Sequence, residues 1–312
     1  MKHDIIITAQ GHKPTCERLA REFSAVKLFE VTDRAAALKD AATKVRGLAH
    51  TGHSHVDAAL MDALPRLEII ANFGVGVDQI DLAAARQRGI VVTNTAGALN
   101  ECVADCAMAL VLSTLRRVPQ AGAYLRAGEW KSKGTFPLGT SLGGKSLGIL
   151  GLGRIGEAIA KRAQAFGMKI RYHNRNKKDV PHAYDGDAVT LAKNSDVLLA
   201  ITPGGPETDK LVNAAVLDAL GPQGYFINVA RGSVVDEPVL LRYLQEKRIA
   251  GAGLDVFEHE PDVPQAFFAL DNVVLTPHIA SGTHETRTAM GDLQIENLHL
   301  HFAGKPVKTP VT

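Results

Sequence analysis

Several absences bound this sequence before any motif is read. There are only three cysteines among 312 residues, Cys16, Cys102 and Cys106. They cannot all pair, and no C-x-x-C or His/Cys cluster at metal spacing accompanies them, so neither a disulfide framework nor a metal site is expected. Residues 1–10 hold one short apolar run, Ile5 to Ile7, and no apolar stretch approaches the roughly 20 residues of a membrane span. No membrane partner is expected, and the location is expected to be cytoplasmic. Excess charge of one sign is missing too: Lys plus Arg number 35 against Asp plus Glu at 33, a net charge of +2. That balance predicts no nucleic acid or other polyanionic partner. Short-period repeats and low-complexity tracts are absent.

What remains is a globular composition, 46% apolar and 22% charged, in a chain too long for one compact core and suited to two domains. Short Val/Ile-rich runs alternate with amphipathic stretches of helical period, the pattern of βαβ units and parallel sheets. In the first half, strands are expected near residues 5–8, 26–31, 48–51, 68–73 and 90–93, a flavodoxin-like small domain. Residues 100–118 are Ala/Leu/Val-rich and read as one long helix linking the domains, with Cys102, Cys106, Leu110 and Thr114 on one face; the two cysteines are expected in a core or interface. Residues 126–144, rich in Gly, Ser, Thr and Lys, read as surface loop.

A second α/β series begins at residue 147. Gly151-Leu152-Gly153-Arg154-Ile155-Gly156 follows an apolar run, residues 147–150, and precedes Ile159, Ala163 and Phe166 at helical spacing. In that context G-x-G-x-x-G binds a dinucleotide: Gly151 permits the tight turn, Gly153 lets backbone approach a pyrophosphate, and Gly156 lets helix pack on strand. The helix N-terminus faces the anion, and Arg154 adds a cation. After Gly167, a plausible helix C-cap, residues 168–173 read as a strand leading to Asn174, Arg175 and Asn176. An acidic residue there would accept from both ribose hydroxyls and repel a 2′-phosphate. The neutral Asn174 followed by Arg175, Lys177 and Lys178 therefore points to NADP(H), with NAD(H) as the lesser cofactor.

Strands expected at 196–202, 225–230, 251–257 and 273–276 complete a Rossmann sheet, and its carboxyl ends carry the unusual residues. Ligands bind beyond such ends, so Thr202, Arg231, Asp255, Glu260 and His278 are expected to converge there. The runs Asn228-Val229-Ala230-Arg231-Gly232, Gly253-Leu254-Asp255-Val256-Phe257 with Glu260-Pro261, and Thr276-Pro277-His278-Ile279-Ala280 resemble the D-isomer-specific 2-hydroxyacid dehydrogenase family. Asn72-Phe73-Gly74-Val75-Gly76-Val77-Asp78 and Val92-Thr93-Asn94-Thr95 fit its small domain, so the resemblance spans nearly the whole chain. The chemistry agrees with the residue types. A 2-keto acid needs a clamp for its carboxylate, for which the Arg231 fork is suited, and a proton donor at the carbonyl oxygen, for which His278 is suited. Glu260 beside it would favour the imidazolium and fix its tautomer. The resemblance further implies that the backbone N–H groups of Val75 and Gly76 form a second carboxylate site, that Asp255 receives the nicotinamide carboxamide, and that Thr202 and Ala230 line the cofactor channel. His50, His53 and His55 read as loop residues, with His53 the one candidate to touch substrate.

The resemblance implies two doubly wound α/β domains, with residues 1–98 and 283–312 as the substrate domain and 99–282 as the cofactor domain. Only one helical stretch and a short tail follow His278, so no regulatory domain is expected. That disfavours the serine-regulated phosphoglycerate dehydrogenases and, with the basic turn, favours NADPH-linked reductases of glyoxylate and hydroxypyruvate, those of hydroxyphenylpyruvate standing close by. The helix after Asn100 and the lone Trp130 resemble the family's dimerisation region, so a homodimer is expected. A dinucleotide-sensing corepressor of the same fold is the alternative from another class.

Overall fold

The computed structural model of the protein describes residues 2–52 and 54–312. The chain divides into two compact units, one of Met1–Leu99 with Thr283–Thr312 and one of Asn100–Gly282.

The first unit is built on five strands, β1 (Asp4–Ile7), β2 (Ser24–Lys27), β3 (Gly47–His50), β4 (Ile69–Asn72) and β5 (Val91–Thr93). They are ordered β2-β1-β3-β4-β5 and all parallel. Helices cover both faces, so the strands are apolar on both sides and successive residues enter different cores. Ile6, Leu48, Ile70 and Val92 pack on one face, whereas Ile5, Ile7, Ala49, Ile69 and Ala71 pack on the other. The C-terminal helix, His284–Phe302, joins the second of these through Ile295 and Leu298. Gln294 on that helix donates to the carbonyls of His50 and Ala71, at 3.1 and 2.8 Å.

The second unit holds seven parallel strands: β6 (Ser146–Leu150), β7 (Lys169–His173), β8 (Ala183–Tyr184), β9 (Val197–Ala200), β10 (Tyr225–Asn228), β11 (Gly251–Leu254) and β12 (Val273–Leu275). Their order, β12-β11-β10-β9-β6-β7-β8, reverses direction beside β6, which puts a topological switch point at the carboxyl end of β6. Helix Asn100–Arg116 covers one face with Leu147, Ile149, Val197 and Leu199.

Four local expectations change. The second strand runs from Ser24 and ends at Lys27, where the chain turns through a Glu30 N–H to Lys27 carbonyl bond of 3.1 Å. The long helix stops at Arg116: Arg117 takes a left-handed φ of 54°, and a second helix, Val118–Arg126, begins with a proline in its first turn, where the missing N–H is tolerated. Residues 126–144 contain a short helix, Glu129–Lys133. The buried face of helix Asn100–Arg116 centres on Val103, Ala107, Leu110 and Thr114, leaving Cys102 and Cys106 half-buried at its margin. Burial, then the charge of Asp255 and of Cys102, pushes the Cys106 thiol up to about 12. Among the described residues no helix is long and apolar enough to cross a membrane.

Candidate active site

At the carboxyl end of β6 three glycines solve three different steric problems. Gly151 has φ +100°, and a Cβ there would stand 3.0 Å from the backbone of Ile201 and Thr202. Gly156, in the first turn of helix Arg154–Ala165, would set a Cβ 2.5 Å from the Gly151 carbonyl. Gly153 differs: it is exposed and a Cβ would meet nothing within 4 Å. Its side is an open cradle that only a ligand would require to stay bare. Gly153 is also the helix N-cap and offers no side-chain cap, so the first N–H groups of a 12-residue helix remain for an anion. Arg154 is exposed, Ile155 half-buried. Close by, Thr202 presents a buried Oγ1 with no partner among the described residues; Ala230 is buried too. A dinucleotide fits this constellation.

The turn after β7 is organised more tightly than its sequence suggests. Asn174 accepts from the Leu152 N–H at 2.6 Å and donates back to the Leu152 carbonyl at 3.3 Å, so its amide staples the glycine loop. Arg175 lies 2.6 Å from Glu207. Lys178 pairs with Glu157 and donates to the Leu152 carbonyl. Asn176 is exposed.

Beyond the ends of β10, β11 and β12 lie the three chemistry-bearing side chains. Asn228, fully buried, accepts from the Ala230 N–H and donates to the Arg231 carbonyl, both at 3.0 Å, which fixes the turn presenting Arg231; its Nη1 donates to the Ala230 carbonyl. His278 Nδ1 faces Glu260 Oε2 at 2.6 Å, and Glu260 Oε1 accepts from the Phe257 N–H at 3.0 Å. With one oxygen held by backbone, the carboxylate is aimed. His278 itself has φ +51°, a left-handed conformation uncommon for a non-glycine residue. What holds it is Asp255. That carboxylate is fully buried and accepts from the Thr276 hydroxyl (2.7 Å) and the Ile279 and Ala280 N–H groups (2.8 and 2.9 Å), while its carbonyl accepts from the His278 N–H. Asp255 therefore braces the His278 loop with both its oxygens.

Glu237, which sequence reasoning passed over, performs a similar service one loop away. It is buried and accepts from the Glu258 N–H at 3.0 Å. Burial holds its carboxyl above the usual carboxylate range, outweighing that backbone bond.

In the first unit the segment Gly74 to Val77 is tied down through its carbonyls. The Asn72 amide donates to Gly74 and Gly76 at 3.1 and 2.8 Å, the Asn94 amide to Val75 at 3.1 Å, and the Thr95 N–H to Gly74 at 3.0 Å. In a trans peptide the N–H points opposite to the preceding carbonyl. Fixing the carbonyls of residues 74, 75 and 76 thus turns each of the N–H groups of Val75, Gly76 and Val77 away from its carbonyl's partner, leaving donors that an anion could use. His50 is no loop residue: it ends β3, is 1% exposed and bonds Asn72. His55 is exposed, and His53 lies outside the described residues. Among the described residues no group of three His, Cys, Asp or Glu side chains is placed to hold a metal.

A switch-point sheet with a glycine-lined anion cradle, and with an arginine and a Glu-His pair beyond its strand ends, defines a nicotinamide-dinucleotide oxidoreductase. The family described as D-isomer specific 2-hydroxyacid dehydrogenase, NAD binding domain, matches residues 108–280. Hydroxyphenylpyruvate reductase of Plectranthus scutellarioides is 50% identical over 271 residues, 86% of either chain. Glyoxylate/hydroxypyruvate reductase A HPR2 of Arabidopsis thaliana is 46% identical over 294 residues, 94% of either chain. The crystal structure of an NADPH-dependent glyoxylate/hydroxypyruvate reductase from Sinorhizobium meliloti, in complex with NADP and malonate, superposes with a TM-score of 0.94 at 47% identity, over 100% of this chain and 97% of that one. The chain belongs to the D-isomer-specific 2-hydroxyacid dehydrogenase family.

Proposed function

We propose that the protein is an NADPH-dependent reductase of small 2-keto acids of the glyoxylate and hydroxypyruvate type, giving the D-2-hydroxy acid, with NADH as a possible second donor. The observation that carries it is the His278–Glu260 contact of 2.6 Å, held by Asp255, in a unit that also carries the glycine cradle. Residues 99–282 act as the dinucleotide-binding unit: Gly151, Gly153, Arg154, Ile155 and Gly156 take the pyrophosphate, Asn174, Arg175 and Asn176 the ribose end, and Thr202, Ala230 and Asp255 the nicotinamide end. Residues 1–98 with 283–312 act as the substrate unit, offering the N–H groups of Val75 and Gly76 to a carboxylate.

Bound NADPH supplies a hydride to the carbonyl carbon. Arg231 clamps carboxylate and carbonyl oxygen and stabilises the negative charge that develops on the latter. Because Glu260 engages Nδ1, the proton leaves His278 from Nε2 to that oxygen, and Glu260 steadies the imidazolium beforehand. The reverse reaction needs a neutral ring to take the proton back. The enzyme is proposed to act as a homodimer in the cytoplasm; the exposed Val118, Leu125 and Trp130 on adjacent helices (55, 58 and 65% exposed) support the former, and sedimentation velocity tests it.

The test is a panel of 2-keto acids assayed with NADPH and NADH, with kcat/KM followed against pH for wild type, His278→Ala and Glu260→Gln. Glyoxylate and hydroxypyruvate turnover is expected, with His278→Ala impaired at every pH and Glu260→Gln impaired as well. Retention of activity by His278→Ala would give the proton to another group. The 50% identity to hydroxyphenylpyruvate reductase favours aromatic 2-keto acids as the second reading, and the same panel decides between them.

A further inference from the structure

Glu260 stays aimed at His278 only if the loop that carries it is itself fixed, and Phe257 is where that loop is held. Glu260 Oε1 accepts from the Phe257 N–H at 3.0 Å while Oε2 faces His278 Nδ1 at 2.6 Å, so a swing of the Phe257 backbone would turn the carboxylate. The next peptide, between Phe257 and Glu258, is gripped at two points. Against it stands Gly232, the residue after Arg231: a Cβ there would lie 1.9 Å from the Phe257 carbonyl carbon and 2.3 Å from the Glu258 nitrogen, so the two backbones touch and only glycine fits. Its N–H is taken by Glu237, whose Oε2 accepts from Glu258 at 3.0 Å across 21 positions of sequence. Glu237 is a firm post for that bond. The Ser233 and Val234 carbonyls accept from the Lys210 and Val212 N–H groups at 2.7 and 2.9 Å, and the Asp236 N–H donates to the Val212 carbonyl at 3.0 Å. Asp236 then caps helix Glu237–Gln245, so residues 233–236 are anchored on residues 210–212 independently of the 257–260 loop. A carboxyl at 6% exposure is costly to bury, and the core around Val234, Leu240 and Phe257 would accept an apolar residue more cheaply.

We propose that Glu237 is a positioning residue for the proton transfer: by holding the Glu258 N–H it seats the Phe257–Glu258 peptide on Gly232, and through Phe257 it keeps Glu260 aimed at His278. The proposal rests on the roles given to His278 and Glu260 above. Because Gly232 follows Arg231 directly and Glu237 follows the same anchored turn, the clamp and the proton donor's partner share one frame. Without the Glu237 bond the Phe257 ring stays buried against Phe267, at 6.3 Å between centroids, but the backbone beside it is free to rotate, and Glu260 then gives up either the Phe257 N–H or His278. A small misplacement of this kind costs rate. Arg231, on a turn tied to residues 210–212, still clamps the substrate, and the glycine cradle lies at the end of another strand. The loss therefore falls on kcat.

Three variants test it. Glu237→Ala and Glu237→Leu both remove the acceptor, the leucine keeping the buried volume in case alanine lowers stability too far, and Glu237→Gln keeps an oxygen in the same place. With NADPH and glyoxylate, kcat should fall about tenfold in the alanine and leucine variants, with KM and NADPH affinity within about twofold, and the glutamine variant should recover to within about twofold of wild type. The solvent deuterium isotope effect on kcat should rise in the first two and not in the third, because delivery of the proton from His278 has become slower. A merely structural role would lower Tm without that split. Wild-type kcat in Glu237→Leu, an equal loss in Glu237→Gln, or a rise in KM with kcat unmoved would each overturn the proposal. A second readout needs no turnover. By amide hydrogen exchange in 15N-labelled protein, the Phe257 and Glu258 N–H groups should both exchange faster in Glu237→Leu and both recover in Glu237→Gln; acceleration confined to Glu258 would mean that the bond does not reach Glu260. Wild type that reduces no 2-keto acid while both amides respond refutes the proposed reaction and keeps the coupling of Glu237 to Glu260, whereas turnover with an unmoved Phe257 amide refutes the coupling alone.

Discussion

Glu207→Gln is the substitution that presses hardest on the cofactor reading. Arg175 and Glu207 are 83 and 72% exposed and 2.6 Å apart, so the guanidinium proposed to receive the 2′-phosphate of NADPH is already engaged by a carboxylate of the phosphate's own sign. An exposed pair like this contributes about 0.2–1 kcal/mol, which the phosphate must displace or share. Repulsion between Glu207 and a phosphate of charge near −2 just beyond the guanidinium adds at most ~1 kcal/mol in a high-dielectric, salt-screened setting. Together these oppose NADPH by about 1 kcal/mol, so removing the charge should tighten NADPH roughly fivefold. NADH lacks the phosphate and should change little.

The assay is fluorescence titration of both nucleotides against wild type, Glu207→Gln and Arg175→Ala at low and high salt. Arg175→Ala should move the other way, weakening NADPH by about 1–3 kcal/mol with the loss of a charged hydrogen bond. Both effects should shrink as salt rises. If the two nucleotides shift together in either variant, or NADPH binds Glu207→Gln more weakly, the basic turn does not read a phosphate, and the preference for NADPH has to come from elsewhere.

Three further expectations follow from the same geometry. Gly153→Ala should leave thermal stability near wild type, since a Cβ there meets nothing within 4 Å, yet abolish tight dinucleotide binding; Gly156→Ala, whose Cβ would press 2.5 Å from the Gly151 carbonyl, should lower Tm. Equal Tm losses would mean that Gly153 is a folding requirement and no cradle. Arg231→Lys replaces a planar fork by a point charge and should cost about 1–3 kcal/mol in kcat/KM, roughly 5- to 150-fold, through KM and kcat together. The third concerns acid. Glu68 is held below the usual carboxylate range by its bonds to Arg46, and Glu22 by its bond to His299 and then Arg18. A depressed folded-state value means stability that is complete above the ordinary carboxylate range and lost as pH falls through the depressed one. Arg46→Met should therefore move the acid-unfolding midpoint, followed by circular dichroism, to higher pH; an unmoved midpoint would show that the Arg46–Glu68 pair adds nothing.

How far the site could be read from sequence depends on how local each constraint is. Gly151, Gly153 and Gly156 were legible because each meets a demand of its own turn, with strand and helix on either side to confirm it. The strand-end positions of Arg231, Glu260 and His278 were legible because chemistry limits which residue types serve. What holds those residues was not, because the partners are set by sheet register across long separations. Asn174 was read for the ribose it could touch, whereas its amide closes on Leu152, 22 positions back. His50 looked like one histidine of a loop cluster until the β3–β4 pairing set it against Asn72, and no periodicity announces that contact. The break at Arg117 shows the limit from the other side: Pro119 was visible, but a helix can begin with proline as readily as end before it, and only the left-handed φ of 54° at Arg117 decides for a new helix.

Asp255 carries the argument furthest. Read as a receiver for the nicotinamide carboxamide, it proves to use both carboxylate oxygens on the Thr276 hydroxyl and the Ile279 and Ala280 N–H groups, so any contact to a ligand would be in addition to the support of the His278 loop. A left-handed histidine cannot hold that geometry on local preference alone, since αL costs a non-glycine residue about 1–2 kcal/mol. The brace that offsets it lies 23 residues earlier, on the neighbouring strand, where a sequence shows only an aspartate closing a strand.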